Sequence, residues 1–115
     1  MKLYSYPRCS TCRRAIAGLQ ANGLEVAPID ITLQPPSREE LTLALGQLGR
    51  KRLFNTSGQS YRARGAAAVQ ARDDGEVVAA LAADGKLIRR PFLITAAGQV
   101  LTGFRPEEWE PLLLA

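Results

Sequence analysis

Apolar residues along the chain come in short runs whose spacing changes from one segment to the next. Lys2 to Tyr6 is a brief apolar and aromatic run that predicts a strand. Thr11 to Ala21 predicts a helix stopped by Asn22-Gly23, and Leu24 to Ile31 a second strand bounded by Gln34-Pro35-Pro36. Ser37 followed by Glu40 is a capping-box sequence, and Leu41, Leu45 and Leu48 then recur at helical spacing up to Gly49.

The pattern weakens after Gly49. Basic residues at 50–52 precede a polar, turn-forming stretch through Arg64, which reads as a loop with a short helix. Ala66 to Ala71 and Gly75 to Ala83 predict two more short helices, the second ended by Asp84-Gly85. Phe92 to Thr95 and Val100 to Thr102 are apolar runs separated by Ala96-Ala97-Gly98-Gln99, a hairpin pattern. Pro106 fits the first turn of a last helix, Glu107 and Glu108 complement its dipole, and Trp109, Leu112 and Leu113 form its apolar face. The expected architecture is α/β: a strand, helix, strand start, a helical insert over about 34–86, then a hairpin and a closing helix, all in one domain spanning 1–115.

Size and composition agree with a single core, since the chain has 115 residues of which 46% are hydrophobic. No apolar run approaches the roughly 18 residues of a membrane span. The start, Met1-Lys2-Leu3-Tyr4, turns polar within a few residues, so no signal peptide and a cytoplasmic location are expected. The net charge is +4, and Lys2, Lys51 and Lys86 are the only lysines among 15 basic residues. Arginine suits bidentate contact with oxyanions and carboxylates. Neither a long basic run nor an RNA-binding aromatic pattern accompanies it, so direct nucleic-acid binding is not expected.

The chemistry concentrates at Cys9-Ser10-Thr11-Cys12, which holds both cysteines. A disulfide closing so short a loop contributes only about 2 kcal/mol, which argues against a structural staple. Zinc needs about four ligands, and with no histidine this pair supplies half a site, so no metal is expected. The same lack of histidine removes Cys-His and Ser-His pairs. Activation of a thiol then falls to backbone amides, the helix dipole and nearby arginines such as Arg8, Arg13 and Arg14. Cys9, at the helix start, is the candidate nucleophile; Cys12, about one turn in, is the more sheltered candidate for resolving an adduct.

A strand–helix–strand start carrying C-x-x-C, followed by helices and a hairpin, is the order of a thioredoxin-like fold with a mixed four-stranded sheet. The resemblance is narrower still. Tyr6 to Ala15, the Leu53 to Arg62 segment, Leu87-Ile88-Arg89-Arg90-Pro91 and Gly103-Phe104-Arg105-Pro106 together resemble the arsenate reductase (ArsC) and Spx family, in order and over almost the whole chain. The resemblance places Cys9 at the family's nucleophile and matches Arg90 and Arg105 to two of the three arginines that hold arsenate. The third falls at Asn55, which is neutral, with Arg62 and Arg64 as basic neighbours in the same segment. It further implies a cis bond before Pro91, close to Cys9.

Two functions follow from that resemblance. One is a thiol-dependent oxidoreductase acting on a small oxyanion or thiol substrate, with no bound cofactor and with glutathione, glutaredoxin or thioredoxin as reductant. The other is an Spx-type regulator in which Cys9 and Cys12 form a redox switch and the domain binds the RNA polymerase α subunit. Cys12 pulls towards the second, because arsenate reductases of the family typically lack a cysteine at that position.

Overall fold

The computed structural model describes residues 1–56, 61–65, 67, 70 and 73–114. Strand β1 (Lys2–Ser5) leads into helix α1 (Ser10–Ala21), and β2 (Ile29–Asp30) follows. Helices α2 (Arg38–Leu48) and α3 (Arg50–Leu53) come next, then a π-helical turn at Tyr61–Gly65 and helix α4 (Asp74–Ala83). A 3-10 turn (Gly85–Leu87), strands β3 (Phe92–Ile94) and β4 (Val100–Thr102) and helix α5 (Pro106–Leu114) complete the described chain. The expected helix over Ala66–Ala71 falls largely outside the described residues.

The strands form one mixed sheet in the order β2-β1-β3-β4, with β1 parallel to β2 and antiparallel to β3. Side chains on a strand alternate between faces, and the core divides accordingly. Leu3, Leu93 and Leu101 face Ala15 and Leu19 of α1 and Trp109 of α5. Tyr4, Phe92 and Val100 point the other way, onto Leu41 and Ala44 of α2, Leu53, Phe54, and Val77 and Leu81 of α4. The sheet is thus sandwiched between the two terminal-segment helices and the helical insert.

Local signals explain the element ends. Leu24 N–H bonds to Leu19 O and Gly23 N–H to Gln20 O, with Gly23 at φ 74°, which is the Schellman stop expected of Asn22-Gly23. Both halves of the Ser37–Glu40 capping box are made. β1 ends one residue early, because the Tyr6 carbonyl turns to accept the Cys9 N–H at 3.0 Å. The largest departure is β2, two residues long where a strand from Leu24 to Ile31 was expected. Leu24 and Val26 are spent packing on the α1 side of the sheet, and Pro28 has no N–H to give a ladder.

At the opposite edge, side chains of the insert cover β4. Gln47 accepts the Val100 N–H at 2.9 Å and donates to Gly98 O at 2.8 Å, while the Thr102 hydroxyl donates to Arg52 O at 2.6 Å. A second tie joins β1 to the insert: Glu40 accepts from Tyr4 Oη at 2.8 Å, Lys2 Nζ at 3.1 Å and Ser37 N at 2.9 Å.

Burial pushes the Glu40 carboxyl up, but Ser37 N–H, Tyr4 Oη and Lys2 outweigh it and hold the group below its ordinary value. A depressed folded value contributes stability above the unfolded value, lost as pH falls through the folded one. Glu40→Gln should therefore be less stable than the native protein near pH 6, with the gap closing below about pH 4. Urea unfolding midpoints across pH check this, and a gap that persists undiminished into acid refutes it. Gly85 gives a sharper expectation, since a Cβ there would overlap the Ile31 carbonyl oxygen and lie 2.8 Å from its carbon. Backbone cannot yield as a side chain does, so Gly85→Ala should cost about 3 kcal/mol or more by urea unfolding.

Candidate active site

The turn between β1 and α1 is built to present a sulfur. Tyr6 O receives the Cys9 N–H, closing a turn through Pro7 and Arg8, and Arg13 Nη1 donates to Pro7 O at 3.2 Å from the helix above. Cys9 becomes the N-cap of α1 in extended conformation, with φ −91° and ψ 114°. Its Sγ accepts the Cys12 N–H at 3.2 Å, the bond a Ser or Asp cap would make with oxygen. The first-turn amides at Ser10 and Thr11 have no partner within the helix, as at any helix start.

Cys9 is half-buried, whereas Cys12 is buried and both are free thiols. Burial is the main cause that pushes the Cys12 thiol up to about 12, with the neighbouring Cys9 adding to it, while a backbone contact at Tyr6 and the charge of Arg90 oppose it. At neutral pH Cys12 therefore stands as a protonated thiol behind the exposed face of Cys9.

The opposite wall comes from the insert and the start of β3. Phe54 and Ile88 pair as an antiparallel bridge, Arg89 N–H bonds to Leu53 O at 2.7 Å and Asn55 N–H to Leu87 O at 2.7 Å. This pairing sets Asn55 opposite Leu87 and Leu53 opposite Arg89. Asn55 Nδ2 also donates to Lys86 O at 3.5 Å. Arg90-Pro91 is cis, as the resemblance implied, and Gly103 N–H bonds to Pro91 O at 2.9 Å.

Between the walls lies a cleft of about 330 Å³. Tyr6, Arg8 and Cys9 line it with Ser10 and Thr11 on one side, and Asn55, Arg89 and Arg90 close the other. The Arg90 guanidinium stacks over the Tyr6 ring at 4.9 Å from its centroid. Its Nη1 is inaccessible and has no hydrogen-bond partner. Buried polar nitrogens of a charged group normally have partners, so this one carries an uncompensated desolvation cost among the described residues.

Of the residues predicted from sequence, Cys9, Asn55 and Arg90 share the cleft, Cys12 lies behind Cys9, and Pro91 follows Arg90 across the cis bond that leads into β3. Arg13 is exposed and braces the turn through Pro7. Arg105 stands apart from the cleft lining, its side chain 63% exposed and its Nη1 3.5 Å from Glu108 Oε1. Arg62 is exposed and the Arg64 side chain lies outside the described residues. Tyr6, Arg8 and Arg89 were not singled out as binding residues. Their proximity to the two recognised motifs was the available signal.

The ArsC family model matches residues 4–112, and the chain belongs to the ArsC family. Among curated relatives, the uncharacterized protein YusI of Bacillus subtilis is 39% identical over 96% of this chain and 95% of its own length. The regulatory protein MgsR of the same organism is 30% identical, covering 94% of this chain and 86% of MgsR. An arsenate reductase of Rhizobium meliloti is 30% identical, covering 92% and 75%. In fold, the chain matches a Streptococcus mutans structure described as a possible arsenate reductase with a TM-score of 0.83 at 39% identity, covering 95% of this chain and 96% of that one. The fold is that of the thioredoxin-like ArsC proteins.

The burial contrast predicts selective labelling. With limited iodoacetamide at pH 8, native protein should carry one label, at Cys9, and Cys12 should be labelled only after unfolding, as read by peptide mass spectrometry. Equal labelling of both in the native state would contradict the placement of Cys12.

Proposed function

We propose that the chain is a thiol-dependent oxidoreductase that reduces a small oxyanion such as arsenate, with Cys9 as nucleophile. The observation that carries this reading is the cleft that Cys9 shares with Arg90, whose guanidinium lies over the Tyr6 ring. A guanidinium held there offers a directed donor and a positive charge to an anion in contact with the sulfur. The matching arsenate reductase of R. meliloti supports the substrate class.

In the proposed reaction the Cys9 sulfur bonds to arsenic and a protonated arsenate oxygen leaves as water. An incoming thiol then attacks the Cys9 sulfur: the S–S bond forms, the S–As bond breaks and its electron pair stays on arsenic, which falls from +5 to +3. A second thiol reduces the mixed disulfide and returns Cys9 as a thiol, so two thiols supply the two electrons. Arg90 offsets charge building on the oxyanion during attack. Cys12, buried and protonated, is badly placed to be the first incoming thiol, which favours an external one such as glutathione, with glutaredoxin or thioredoxin restoring the enzyme.

A second reading is a redox-responsive regulator that contacts the RNA polymerase α subunit through a Cys9–Cys12 switch. The similarity to the regulatory protein MgsR and the contact of Cys9 Sγ with the Cys12 amide favour it.

Arsenate reduction coupled to glutathione and glutaredoxin, or to thioredoxin, tests the first reading. Native protein should turn over, Cys9→Ser should lose at least about a thousandfold in kcat/KM, and Arg90→Gln about a hundredfold. Absence of Cys9-dependent turnover with either donor overturns it, and capture of the polymerase α C-terminal domain in only one redox state would then support the regulator.

A further inference from the structure

Position 55 is neutral and Arg105 is absent from the cleft lining, yet the cleft is rich in arginine. Of its eight lining residues three are arginine and none is acidic. We propose that Arg8 and Arg89 are specificity-determining residues that, together with Arg90, hold the anionic group of the substrate against Cys9. The proposal rests on the reading of Cys9 as a thiol that attacks an anionic substrate, and it assigns the charges that hold the anion to residues from a different part of the chain.

Each wall contributes. Arg8 sits in the turn that ends at the Cys9 N-cap, so its charge comes with the nucleophile. Arg89 is anchored through its own N–H to Leu53 O, and its stem runs past Gly103, where a Cβ would lie 3.7 Å from Arg89 Cδ. Gly103 is held at φ 69°. Neither Arg8 nor Arg89 makes an ion pair among the described residues, whereas the acidic partner nearest Arg105 is already engaged. Glu108 binds Arg52 Nη2 at 3.0 and 2.9 Å and touches Arg105 at 3.5 Å. Three guanidiniums lining one cleft with the opening turn of α1 make a local field selective for anions over neutral molecules of the same shape.

The rate ratio for Cys9 alkylation by iodoacetate and iodoacetamide measures that field directly. The two reagents are near in size and both react with the thiolate, so the ratio cancels changes in thiolate fraction and reports the charge around the sulfur. Relative to the same ratio in the unfolded chain, native protein should prefer iodoacetate by about tenfold at low salt, a preference that shrinks as ionic strength rises. Arg8→Gln and Arg89→Gln should each lower it about twofold and the double variant about fourfold, leaving the share of Arg90, while Arg89→Lys keeps most of it and Arg105→Gln leaves it unchanged. Circular dichroism identifies any variant that fails to fold, and the charge-keeping Lys replacements then decide.

An unchanged ratio in the double variant, or a loss that follows Arg105→Gln instead, overturns the proposal. The readout needs no turnover. If the ratio behaves as expected but arsenate is not reduced, the anion site stands and the substrate falls; if arsenate is reduced while Arg8 and Arg89 leave the ratio unmoved, the reverse holds.

Discussion

The peptide groups around Arg89 and Arg90 are tied to distant parts of the fold at once. Arg89 N–H is bound to Leu53 O, Ile88 pairs with Phe54, Pro91 O receives the Gly103 N–H, and Phe92 enters the sheet opposite both Tyr4 and Thr102. Each tie uses main-chain groups that burial obliges to find partners. The result is that the wall facing Cys9 cannot move without breaking into the insert, the sheet or the C-terminal turn. α5 takes part in this as well, since Trp109 Nε1 donates to Gly103 O at 3.0 Å and its ring packs edge-on against Phe104.

Against this rigid wall the two cysteines have unequal lives. Cys9 caps a helix and faces the cleft; Cys12 is enclosed by the core and kept protonated by that enclosure. A C-x-x-C motif read alone suggests interchangeable sulfurs, and the fold removes that symmetry by giving one of them solvent and the other none. Arg90 shows the complementary arrangement. It lies over Tyr6 with one buried nitrogen that has no hydrogen-bond partner among the described residues.

What could be read from sequence were features whose physics is local. The capping box at Ser37, the Schellman stop at Gly23 and the hairpin around Gly98 depend on neighbours within a few residues, and the cysteine motif comes with its helix start. β2 could not be read in the same way, because Leu24 and Val26 carry strand-like apolarity that the fold uses for packing against α1. The cleft was half legible. Cys9, Asn55 and Arg90 sit in recognisable motifs, but which further arginines join them is decided by the Phe54–Ile88 bridge and by Glu108, contacts between residues more than 30 positions apart or on a surface helix. Arg105 illustrates the limit: its motif matches, yet its side chain has turned to Glu108.

The sheet's two outer strands are finished very differently from its centre. β2 offers only Ile29 and Asp30, preceded by a proline and followed by Thr32, whose N–H and hydroxyl both bind the Asp30 carboxylate at 2.9 and 2.6 Å. On the other side Gln47 takes up the Val100 amide and Arg52 O the Thr102 hydroxyl. Unpaired strand edges are templates on which other chains add strands and aggregate. With so little free ladder on either flank, the sheet offers little template for an added strand.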